Sequence, residues 1–120
     1  MSNCKNRIRA AVNEEIGGLD SRLELSNGVG IPCVGYGTWQ TPSGDVARDS
    51  VRKALELGYR HIDTATVYGN EASVGEGIRL SGVKREDVFI TTKMWTSDFD
   101  NGDAAIDASL ERLGVEYIDL

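Results

Sequence analysis

From Arg22 onward the chain switches between two hydrophobic rhythms. RLELSNGVGIPCVGYG alternates apolar and polar positions around Asn27–Gly28, and an Asn-Gly pair between such segments predicts a β-hairpin. CVGYG (Cys33–Gly37) predicts a short strand that opens into the loop TWQTPSG. In DVARDSVRKALELG the apolar residues Ala47, Val51, Ala54 and Leu55 fall at i, i+4, i+7 and i+8. That is one stripe of a helix, with Gly58 placed to cap its end. YRHID (Tyr59–Asp63) predicts a second strand. NEASVGEGIRLSG predicts a helix with Asn70 as N-cap, Val74 and Ile78 on one face, and Gly82 beyond its end. DVFITTK (Asp87–Lys93) is rich in β-branched and aromatic residues, hence a third strand. DAAIDASLERLG sets Ile106, Leu110 and Leu113 at helical spacing before Gly114, and EYIDL predicts a fourth strand.

The order after the hairpin is therefore β-α-β-α-β-α-β. Strict alternation implies parallel strands joined by helical crossovers, an α/β fold. Alternation alone fits an open doubly wound sheet and a (β/α)8 barrel equally. GVGIPCVG contains G-x-G, but it precedes a strand instead of leading from one into a helix, so it is no phosphate fingerprint. Residues 1–20, MSNCKNRIRAAVNEEIGGLD, break the pattern with few apolar positions. A helix over Asn6–Ile16 would be marginal alone in water, so a mobile leader is expected over 1–20 and the folded domain over 21–120.

Composition narrows the class. At 120 residues, with 40% hydrophobic and 27% charged residues, the chain has the balance of a single globular domain. A formal net charge of −6 argues against nucleic acid as a partner, which calls for a basic face. No apolar run reaches the ~18 residues of a membrane span. Cys4 and Cys33 form no CxxC pair, and reduced thiols in the cytoplasm are expected.

In parallel α/β folds functional side chains gather at the carboxyl ends of strands. Those ends hold Thr38, Trp39, Asp63, Tyr68, Lys93 and Trp95. If the second and third strands are neighbours, ~4.8 Å apart, Asp63 and Lys93 can meet. A free tyrosine, with a pKa of about 10, is a poor acid at neutral pH. A lysine ammonium beside it favours the phenolate, and an aspartate holds the lysine charged. The tyrosine can then protonate a developing alkoxide. Thr38 offers a polar contact, and Trp39 and Trp95 flat walls. A strand-end Asp–Lys pair is also commonly structural. His61 and Asp63 share one side of their strand, but a metal site needs more ligands, and the chain has one histidine. His61 is expected to be a packed strand residue, and no metal is expected.

GYRHIDTATVYGNEASVG (Gly58–Gly75) resembles the signature of the aldo-keto reductase family throughout. The resemblance extends over about residues 23–120 and takes in SNGVGIPCVGYGTW, TTKMW and SLERLGVEYIDL. It implies the N-terminal half, strands 1–4, of a (β/α)8 TIM barrel preceded by a β-hairpin. It further implies reduction of aldehydes and ketones with NADPH, NADH being the alternative, and no metal. By motif the catalytic aspartate, tyrosine and lysine fall on Asp63, Tyr68 and Lys93. Thr38, Trp39 and Asp63 would border the cofactor, and Trp39, Tyr68 and Trp95 the small carbonyl substrate. The family's catalytic histidine is not His61; it follows a segment like EYIDL.

A whole barrel of this kind needs ~250 residues, so these 120 are expected to be an incomplete portion, inactive alone. The alternative is a non-catalytic half-barrel subunit that covers its open face by self-association or with a partner. Continuation of the coding sequence into a histidine segment within about ten residues would separate the two, since a stop inside a strand is no domain boundary. The isolated chain is expected to bind NADPH weakly or not at all, because phosphate sites of such barrels commonly lie after strands seven and eight. Micromolar affinity in a fluorescence titration would contradict this.

Overall fold

The computed structural model describes residues 17–120. Cys4, the helix expected over 6–16 and most of the expected leader lie outside the described residues. The last four positions of that leader include Gly17 and Gly18, whose N–H groups donate to Ser21 Oγ at 2.9 and 3.1 Å.

The hairpin forms from β1 (Arg22–Glu24) and β2 (Gly30–Pro32), antiparallel with Leu23 opposite Ile31. Its loop is closed by Leu25 N–H donating to Val29 O at 2.8 Å, and Asn27 Oδ1 accepts from Val29 N. β3 (Tyr36–Gly37), β4 (His61–Asp63) and β5 (Phe89–Thr91) make a parallel sheet in that order. The register sets Tyr36 beside Ile62, Ile62 beside Ile90, and Asp63 beside both Gly37 and Thr91. All three strands are shorter than the sequence suggests: Cys33, Tyr59 and Asp87 lie outside them, and Asp87 ends a 3-10 turn, Arg85–Asp87.

Three helices follow the strands: α1 (Asp45–Glu56), α2 (Glu71–Leu80) and α3 (Gly102–Leu113). α1 buries the expected Ala47, Val51, Ala54 and Leu55. Gly58 closes it at φ 106°, its N–H donating to Leu55 O. Val51, Leu55, Ile62, Val74, Ile78, Val88, Ile90 and Leu113 form the core between helices and sheet. The pleat turns Ile62 and Ile90 toward that core, and His61, Asp63, Phe89 and Thr91 to the opposite face.

One expectation fails, and two are met only in part. EYIDL forms no strand; only Asp119 and Leu120 reach the sheet, their N–H groups donating to Ile90 O at 3.1 Å while Leu120 O accepts from Thr92 N. Tyr117 instead lies under the guanidinium of Arg85, 3.9 Å from its ring centroid, and Arg85 pairs with Asp119 at 2.8 Å. The apolar stripe of α3 is not buried as a unit. Leu113 is, but Ile106 is 45% exposed, lining a cleft of about 270 Å³ with Met94, Ala105 and Leu120. Asn70 occupies the N-cap position of α2 without capping it, because its side chain is engaged elsewhere.

α2 lies close to both neighbouring helices because glycine stands at each contact. A Cβ on Gly75 would fall 2.0 Å from Leu113 O, and one on Gly77 2.5 Å from Arg48 O. Backbone cannot rotate aside as a side chain can, so the helices themselves would have to separate. Gly75→Ala is expected to lower stability by at least ~1–3 kcal/mol, the usual range for overpacking, read as a shift of the urea midpoint at unchanged slope.

Candidate active site

Asp63 ends β4, and Lys93 lies two residues beyond β5. Because these strands are hydrogen-bonded neighbours, the two side chains meet: Lys93 Nζ donates to Asp63 Oδ1 at 2.8 Å and to Thr64 O at 2.8 Å. Ladder-like bonds continue past the strands, from Thr64 N to Thr91 O and from Thr66 N to Lys93 O. Those bonds fix both ends of the pair. The side chains are 47% and 33% exposed, so the pair contributes only about 0–1 kcal/mol to stability. Its value is positional.

Tyr68 closes a 3-10 turn, Thr66–Tyr68, that the hydrophobic pattern does not announce. The turn ends on Gly69 in the left-handed region and brings the tyrosine ring back over the strand ends, its centroid 5.2 Å from Lys93 Nζ. Asp63, Lys93 and Tyr68 are thus assembled in one place. The ammonium at its centre contacts a carboxylate, a carbonyl and an aromatic ring.

Thr38 is fully buried beneath this group. Both its N–H and its hydroxyl donate to Asp63 O at 3.0 Å, so the hydroxyl hydrogen is spent on holding the strand end. Trp39 and Trp95 stand past the ends of β3 and β5, 68% and 51% exposed. Trp95 precedes the 3-10 helix Thr96–Asn101, with its N–H on Asp98 Oδ2 at 3.2 Å. Among the described residues no ring pairing joins either indole to Tyr68.

Two further polar groups escape a reading by residue type. Glu71 is 2% exposed; its carboxylate accepts from Thr92 Oγ1 and Arg112 Nε, each at 2.6 Å. Arg112 also reaches Ser109 Oγ at 3.1 Å, and Ser109 Oγ lies 3.3 Å from Thr66 Oγ1 at the start of the Tyr68 turn. Asn70 is 1% exposed, donating to Thr38 O and Thr41 O and accepting from Thr64 Oγ1. The sequence signal for both was their place in the motif around Tyr68, with nothing in their spacing to say what they hold.

His61 packs as a strand residue. Its ring lies edge-on to Phe89 at 5.1 Å and Nε2 is 2.8 Å from Thr91 Oγ1. Burial pushes its pKa below the ordinary 6.5, against the opposing pull of Asp63, the Pro32 carbonyl and Asp119. The neutral ring is favoured in the fold, so the unfolded chain binds more protons in this range. The stability it contributes is complete above the unfolded value and is lost as pH falls through the folded one. The urea midpoint is expected to drop more between pH 7.5 and 5.5 for the native sequence than for His61→Gln; equal drops would contradict this.

A family model described as the aldo/keto reductase family matches residues 33–120. An aldo-keto reductase of Mycolicibacterium smegmatis is 53% identical over 104 residues, covering 85% of this chain and 38% of that protein. Glycerol 2-dehydrogenase (NADP(+)) of Saccharomyces cerevisiae is 50% identical over 98 residues, covering 82% of this chain and 31% of that protein. Among solved structures, an aldo/keto reductase from Brucella melitensis superposes with a TM-score of 0.77 at 48% identity, over 82% of this chain and 39% of that one. The chain spans about a third of the length of the curated relatives it matches. Its hairpin and β-α units accordingly are part of a (β/α)8 barrel, with its sheet open.

Proposed function

This chain belongs to the aldo/keto reductase family, and from that membership we propose that it carries the Asp–Tyr–Lys part of the site of an NADPH-dependent reductase of aldehydes or ketones. The observation that carries this reading is the junction at Lys93 Nζ, 2.8 Å from Asp63 Oδ1 and 5.2 Å from the Tyr68 ring centroid. A yeast relative whose name specifies NADP(+) supports the choice of cofactor.

When bound, the nicotinamide cofactor supplies hydride to the carbonyl carbon. Tyr68 Oη donates the proton that the carbonyl oxygen takes up. The Lys93 ammonium stands beside the ring that gives up the proton, held there by Asp63 and Thr64 O. Thr38 acts beneath them through Asp63 O. Trp39 would border the nicotinamide and the substrate, and Trp95 the substrate. Among the described residues no helix is long and apolar enough to cross a membrane.

In the complete protein, Tyr68→Phe is expected to lower kcat for an aldehyde by ~10²–10⁴-fold, the usual weight of a positioned proton donor. NADPH affinity, followed by fluorescence titration, should be unchanged. Full turnover in that variant would overturn the assignment.

A further inference from the structure

Trp39 lies in a turn that its own residues do not favour. Thr41 N–H donates to Thr38 O at 3.2 Å, closing Thr38–Thr41, and Gln40 sits at φ 59°. Among the described residues it alone, glycines aside, has a positive φ. Such turns ordinarily place glycine there, and another residue is held in that region only when its surroundings insist. Trp39 itself is 68% exposed and makes no hydrogen bond or ring contact among the described residues.

The constraint comes from below. The Asn70 amide donates one hydrogen bond to Thr38 O at 2.9 Å and another to Thr41 O at 3.1 Å, gripping the first and last carbonyls of the turn. Its oxygen accepts from Thr64 Oγ1 at 3.0 Å, which orients the amide so that both N–H bonds point at the turn. Thr64 is 0% exposed and Asn70 1%, so neither exchanges these partners for water. A turn later on the same helix, Ser73 Oγ accepts from Gly44 N at 2.7 Å and lies 3.1 Å from Ser43 Oγ. The first turn of α2 therefore clasps the segment after β3 at three carbonyl and amide groups.

We propose that Asn70 is a positioning residue: its side-chain amide holds the Thr38–Thr41 turn in its strained form and thereby fixes where Trp39 stands beside the Tyr68 site. The inference rests on the reading that Trp39 borders the substrate, but its test does not. An aspartate is nearly the same shape and has no hydrogens to donate, so it separates the two donated bonds from mere filling of space.

With Trp95→Phe as background, Trp39 becomes the sole tryptophan of these 120 residues; any others in the complete protein are likewise replaced by Phe. Time-resolved fluorescence anisotropy then reports its restraint. Asn70→Ala and Asn70→Asp, each shown folded by far-UV circular dichroism, should both lose the slow, restrained component of Trp39. Thr64→Val, which leaves both donated bonds in place, should retain most of it. Retention of that component in folded Asn70→Ala or Asn70→Asp would overturn the proposal. Should Asn70→Ala fail to fold, Asn70→Ala/Gln40→Gly carries the same test, because glycine adopts φ 59° without strain. That double variant should fold with Trp39 freed, and a Trp39 as restrained as in the native sequence would overturn the proposal. Loss of restraint, where the complete protein of native sequence shows no reductase activity, would support Asn70's role and count only against the functional reading.

Discussion

The Glu71 carboxylate is the constraint on which the rest of the arrangement depends. It opens α2 from inside the protein, with a side chain 1% exposed, and is matched by Arg112 from the last turn of α3 and by the Thr92 hydroxyl just past β5. A carboxylate so placed must be paired, since stripping one partner from a buried ion pair costs about 3–5 kcal/mol. Arg112 is 40% exposed, so water can reach its side of the pair and the cost lies toward the lower figure. What the pair secures is relative position: one helix start, one helix end and one strand end are drawn to a single point. The Tyr68 turn is attached to that point through Thr66 and Ser109.

The first turn of α2 thus serves two sides at once. Asn70 reaches toward β3 and the turn that bears Trp39, while Glu71 reaches toward β5 and α3. Consecutive residues can divide the work because Asn70 is the N-cap, with non-helical backbone angles, while Glu71 is the first residue of the helix proper. Farther along, Gly75 and Gly77 let the same helix approach α3 and α1 without intervening side chains. Close packing on both flanks and polar clasps at its head leave α2 little freedom. The three proposed catalytic groups inherit that rigidity, although their own ion pair is half exposed and weak.

Much of the architecture could be read from hydrophobic rhythm. The stripe on α1, the Asn27–Gly28 hairpin and the order of strands and helices are all present, because burial of one face dictates period 3.6 or 2. The proximity of Asp63 and Lys93 was also legible, as a consequence of parallel neighbours ending together. The illegible parts are those where one residue type serves more than one purpose. Asn70 looked like a helix cap, and only tertiary structure shows its amide turned away toward Thr38 and Thr41. Ile106 fits the apolar spacing of α3, yet spacing does not say whether anything packs on it. EYIDL has strand composition, but a ladder needs pairing along its length, and here Arg85 claims Tyr117 and Asp119. The 3-10 turn at Tyr68 is too short to leave a period.

The Asp63–Lys93 junction also bears on how such a site comes together. Thirty residues separate the two partners, and all of them belong to a single β-α-β unit that includes Tyr68. The entropy lost in closing that loop depends on its own length, and only logarithmically. It is set entirely within this unit and is the same whatever chain lies on either side. The proposed acid–base group is in this sense a local structure, whose ordering carries no cost from long-range closure.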